Sequence, residues 1–176
     1  MSTFDLSNPH LFTAGAIGEP GQRVFYVQGA EGALVVTLKL EKTQVAALAQ
    51  YMAELLADLP PVPDDETFLD LELLEPVVSE WTVGTIGVAF DEGRDRMVVT
   101  FQEIQTFDPD ADPDDEPIID ESTNLATFVI TRLQSMGFVR RAAELVSSGR
   151  PPCTLCGRPL DPEGHVCIKT NGHLPH

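Results

Sequence analysis

Phe12-Thr13-Ala14-Gly15-Ala16-Ile17-Gly18 and Trp81-Thr82-Val83-Gly84-Thr85-Ile86-Gly87 share one pattern, aromatic-Thr-x-Gly-x-Ile-Gly, displaced from position 12 to position 81, a shift of 69 residues. An internal repeat governs the whole fold when it is real, so the residues behind each copy are the ones to compare. Behind the first copy come Arg23–Gln28 and Ala33–Leu40; behind the second come Met97–Ile104 and Leu125–Thr131. All four runs are rich in Val, Ile, Phe, Tyr and Thr, side chains that suit a pleated, half-buried surface. Each set of strands then leads to a helical pattern. Val45, Leu48, Ala49, Met52, Leu55, Leu56 and Leu59 recur at helical spacing and form one apolar stripe. Phe138, Ala142, Leu145 and Val146 occupy the positions of Leu48, Met52, Leu55 and Leu56, and Gln134 and Glu144 those of Gln44 and Glu54.

From Gln44 to Gln134 the shift has grown to 90, so the second unit is longer by 21 residues. The acidic segment Thr106–Ser122 accounts for most of that excess. The expected fold class is therefore α+β: duplicated β-β-β-α units with antiparallel sheets packed on two helices, plus a C-terminal zinc-binding knob. Three strands and one helix make a thin core alone, which favours the two units sharing their sheet arrangement. The expected boundaries are a first unit over 1–59, a linker and lead-in over 60–80, a second unit over 81–149 with an acidic loop over 106–122, and a zinc-binding tail over 150–176. Pro60, Pro61 and Pro63 cannot continue a helix and mark the linker. The lead-in Phe68–Val78 reads equally as a short helix or a strand.

The tail carries the strongest chemical signal. Cys153, Cys156, His165 and Cys167 follow the spacing Cys-x2-Cys-x8-His-x-Cys. Two thiolates separated by two residues can bind one ion from a tight turn, and the turn Asp161-Pro162-Glu163-Gly164 returns His165 and Cys167 toward it. Three thiolates and one imidazole satisfy a closed tetrahedral structural zinc site with no corner left for water. His173 and His176 are alternative fourth ligands. A free surface Cys-x-x-Cys leaves the clustering of all three cysteines unexplained. A redox dithiol is disfavoured because Pro151-Pro152 precede the pair and Gly157 follows it, where such motifs open a helix.

Charge sets limits on partners. The 176-residue chain has a formal net charge of −17, unevenly spread. Arg132–His176 holds six Lys/Arg and three Asp/Glu, whereas the first 131 residues hold five and twenty-five. A body at −20 repels phosphate backbones, so nucleic acid is not the expected partner. Phe25, Tyr26 and Phe101 are the strand aromatics that base stacking would need, were this a single-strand-binding protein. Asp108-x-Asp110-x-Asp112 has the start of a calcium loop, but Pro113 stands where that loop needs glycine and Ile119 where it needs Glu. No nucleophile elbow, phosphate loop or His-Glu-x-x-His motif is present. No apolar run spans a bilayer and no signal peptide opens the chain, so a cytoplasmic protein without membrane attachment is expected.

The run Gly149-Arg150-Pro151-Pro152-Cys153-Thr154-Leu155-Cys156-Gly157-Arg158-Pro159-Leu160, continuing to Cys167 and Asn171-Gly172, resembles the end of a family known as domain of unknown function 3090. Gly18–Arg23, Phe25–Gln28 and Val83-Gly84-Thr85 also resemble it, so the likeness covers nearly the whole chain. Cys167-Ile168 departs from the Cys-Pro usual there. The resemblance implies an actinobacterial cytoplasmic protein, encoded beside a histidine-phosphatase-like and a lipid-kinase-like protein, and implies no reaction. The functional expectation is a non-enzymatic binding or adaptor module with structural zinc and a protein partner. The alternatives are a single-stranded nucleic-acid-binding protein and an enzyme with its site between the two units.

Overall fold

Among the described residues, runs rich in β-branched and aromatic side chains build seven strands, and two apolar stripes of helical period build two helices. The computed structural model describes residues 2–62, 71–105, 123–148 and 155. Its elements are β1 (Thr3–Leu6), β2 (Leu11–Ile17), β3 (Val24–Glu31), β4 (Leu34–Leu40), α1 (Lys42–Ala57), β5 (Val83–Asp91), β6 (Arg96–Glu103), β7 (Leu125–Thr131) and α2 (Arg132–Ser147). After β1 the order is β-β-β-α twice over, and each expected strand and helix falls within a few residues of its expected place. The acidic segment 106–122 and nearly all of the tail lie outside the described residues.

The strands form two sheets, β2-β3-β4 and β1-β7-β6-β5. A single sheet shared by the two halves is not formed. Each half keeps its own, and β1 adds to that of the second by pairing in parallel with β7, Leu6 opposite Phe128. Four residues with one buried side chain, Leu6, carry no readable period, which is why β1 is missing from the expected strands. The sheets touch through backbone at one crossing. Glu80 N donates to Thr37 O and Lys39 N to Trp81 O, and Ile104 N donates to Thr82 O on the other side.

The core joins both halves. Phe12 of β2 lies 5.3 Å from Phe128 of β7 and 5.0 Å from Phe138 of α2, and Phe128 meets Phe101 of β6 edge-on at 5.7 Å. Such pairs contribute about 0.5–1.5 kcal/mol each beyond the area they bury. Gly29, opposite Phe12 in the ladder, makes the approach possible, because a Cβ there would stand 2.4 Å from Phe128 Cε1. Helix α2 packs on β2, a strand of the first half, while α1 lies against β5 of the second, and the helices touch each other.

Matching glutamines fix this crossing. Gln44, in the first turn of α1, accepts from Glu41 N at 2.8 Å and donates to Val83 O at 3.2 Å, on β5. Gln134, in the first turn of α2, accepts from Thr131 N at 2.9 Å and donates to Pro9 O at 2.7 Å, just before β2. Each side chain satisfies backbone at its own helix start and ties that start to the opposite half.

The other face of the three-stranded sheet is also covered. Thr13, Gln28 and Thr37 stand side by side across β2, β3 and β4, and all three are buried. A strap formed by the end of the lead-in lies over them. Thr13 Oγ1 donates to Leu71 O at 2.6 Å, Gln28 Nε2 donates to Thr37 Oγ1 at 2.9 Å and Leu74 O at 3.1 Å, and Leu74 N donates to Gln28 Oε1 at 2.7 Å. Leu73 fills the space above Gly15. The described part of the lead-in, 71–78, is thus neither helix nor strand, since side chains of the sheet take the backbone groups that a regular element would pair.

Two outcomes are expected. Gly29→Ala forces Phe128 out of its seat and lowers stability by about 1–3 kcal/mol, read as a lower thermal midpoint. Gln28→Leu strands the Leu74 N–H and C=O at a cost of about 1–3 kcal/mol for each group left unpaired and buried. The Leu74 amide then exchanges with deuterium faster, while amides of β6 keep their protection.

Candidate binding cleft

The expected zinc ligands Cys153, Cys156, His165 and Cys167 lie outside the described residues, as do His173 and His176. Among the described residues no group of three or more His, Cys, Asp and Glu gathers at one point. The point from which the tail departs is within the described residues. Helix α2 ends at Ser147, and Arg23, just ahead of β3, donates from Nη1 to Ser148 O at 3.1 Å and to Ser148 Oγ at 2.8 Å. A guanidinium at a helix C-terminus also meets the negative end of the helix dipole, an effect of about 0.3–1 kcal/mol.

Arg23 belongs to the wall of a cleft of about 660 Å³ between the two halves. The first half contributes Arg23, Phe25, Lys39, Leu40 and Lys42, and the second contributes the last turn of α2 through Leu145 and Val146. The local fold explains each placement. Lys39 sits between Leu38 and Leu40, both buried, so strand alternation turns it outward. Lys42 is the first residue of α1, where the helix dipole is already positive and disfavours a cation by about 0.3–1 kcal/mol. Glu41, the residue before Lys42, accepts from the N3 backbone in a capping box and places a carboxylate at the same helix start.

The cleft is basic on an acidic body. Arg23, Lys39 and Lys42 are three of the five Lys/Arg among the first 131 residues. Of the other two, Arg94 pairs with Asp91 at 3.6 Å and Arg96 donates to the carbonyl of Asp95 at 3.0 Å. Among the described residues Lys39 and Lys42 have no ion-pair or hydrogen-bonding partner for their ammonium groups. Among the described residues Glu41 is the one acidic side chain on the wall. Nothing in the sequence gathered these residues as a site. The available signal was their scarcity, since three of five cations fall within twenty residues of a chain otherwise rich in carboxylates.

A second, smaller cleft of about 470 Å³ opens between α1 and the edge strand β5, with Leu48, Tyr51, Ile86 and Val88 on its walls. The aromatics that base stacking would need are not displayed. Phe25 and Phe101 are buried at 7% and 0% exposure, leaving only Tyr26 partly accessible.

The described residues define an α+β protein of two sheets and two helices, with a basic cleft at their junction on an otherwise acidic body. The chain belongs to the family described as "Protein of unknown function (DUF3090)", which matches residues 4–167. That span runs from β1 to Cys167, the last of the expected ligands. No curated protein and no solved structure matches the chain. No helix among the described residues is long and apolar enough to cross a membrane.

Removing the Arg23 guanidinium frees the end of α2. Arg23→Met is expected to raise amide exchange at Leu145–Ser148 several-fold, with β2 and β7 unchanged. Equal exchange in variant and parent means that Arg23 does not hold the helix end.

Proposed function

We propose that this protein is a cytoplasmic, zinc-containing binding module that docks a protein partner, with Cys153, Cys156, His165 and Cys167 closing a structural zinc site. In this reading the two β-β-β-α halves are copies of one ancestral unit. The supporting observation is the Arg23–Ser148 contact, because it ties the root of the Cys-x-x-Cys tail to the cleft between the halves. A tail with too little apolar content to fold by burial takes its stability from the metal. Ser148, the residue before the tail, is held at the edge of the cleft.

A second reading, an enzyme acting between the halves on a small anionic molecule, is favoured by one observation. Arg23, Lys39, Glu41 and Lys42 converge on the cleft at the junction. Nucleic-acid binding loses support, since two of its three stacking candidates are core residues and the body carries the wrong charge.

Elemental analysis of purified protein should find about one zinc per chain, and Cys156→Ser should lose it. Chelation should leave most of the far-UV signal of the body in place while the segment after Gly149 becomes sensitive to protease. Less than about half an equivalent of zinc, in protein purified without chelator, contradicts the site. For docking, capture of the same partner by wild-type and Cys153→Ser bait would show that the zinc tail is not the contact.

A further inference from the structure

We infer that the cleft between the halves binds a small organic phosphate, an anionic head carried on an apolar body. This goes beyond the docking reading and does not depend on the zinc site. Three observations carry it together. The cleft, at about 660 Å³, has the size of a small-molecule site. Its cations come from three separate places in the chain: Arg23 ahead of β3, Lys39 within β4 and Lys42 at the start of α1. The two ammonium groups have no partners among the described residues. Two unpaired ammonium groups on one wall of a cleft are suited to a ligand of opposite charge.

The charge count selects the head group. Arg23, Lys39 and Lys42 set against the Glu41 carboxylate leave the described wall with a charge of about +2, and Arg23 already spends Nη1 on Ser148. A dianionic phosphate ester matches that number better than a monoanionic carboxylate, and lysine binds phosphate as a point charge. On a body whose net charge is strongly negative, this cleft is a local well for anions, and low-dielectric walls focus its field. The apolar wall selects the rest of the ligand. Leu145 and Val146, both partly exposed, offer apolar contact that bare phosphate cannot use, over a floor of buried Phe25 and Leu40.

The test is calorimetric titration of the full chain at low ionic strength with phenyl phosphate, inorganic phosphate and benzoate. Phenyl phosphate should bind saturably with one site and more tightly than either of the others. The double variant Lys39→Gln/Lys42→Gln changes two exposed side chains, and its far-UV signal should match the parent. It should bind phenyl phosphate about tenfold more weakly or worse. Arg94→Gln removes one exposed cation from outside the cleft and should leave binding unchanged. The inference is overturned if the parent shows no saturable binding, if Arg94→Gln weakens binding as much as the cleft variant, or if benzoate binds as tightly as phenyl phosphate.

Discussion

Phe12 is wedged between Phe128 and Phe138, and Phe128 keeps its seat only because position 29 has no side chain. That contact brings a strand of the first half against a strand and the helix of the second. Either half alone would expose the apolar face of its sheet, and a core of three strands and one helix is too thin to offset the entropy of ordering it. The crossed helices arise from the same constraint. With α2 lying on β2 and α1 against β5, neither half completes its core from its own residues.

The crossing also makes the cleft. Because α2 reaches over to the first half, its last turn ends beside Arg23, and its Leu145 and Val146 become one wall of a pocket whose other wall is β3, β4 and the start of α1. Gln44 and Gln134 hold the two helix starts to the opposite strands, so the positions of both helices are set at their N-termini by hydrogen bonds and along their length by packing. The binding reading is therefore a consequence of how the halves interlock, and the basic side chains lie where that interlocking leaves a gap.

Much of this was legible in the sequence because it depends on local period. The stripe from Val45 and the run from Phe138 predicted helices where α1 and α2 stand, and the matched Gln44 and Gln134 turned out to do matched work. The features that were not legible depend on partners distant in the chain. β1 is too short to carry a pattern and is defined by β7, more than a hundred residues away. The strap owes its irregular course to Thr13 and Gln28, which as polar strand residues would be expected to face water. Lys39 and Lys42 look like ordinary solvated charges until Arg23 is brought beside them. The expected metal ligands Cys153, Cys156, His165 and Cys167 rest on spacing alone and lie outside the described residues.

The two halves stabilise one another and fold as one body. Trp81, the only tryptophan, is 7% exposed and sits at the crossing where Lys39 N binds its carbonyl, so its fluorescence reports on the junction. Equilibrium urea unfolding followed by Trp81 fluorescence and by far-UV circular dichroism should give a single coincident transition. Two separated transitions, with secondary structure surviving after the junction has opened, would contradict it.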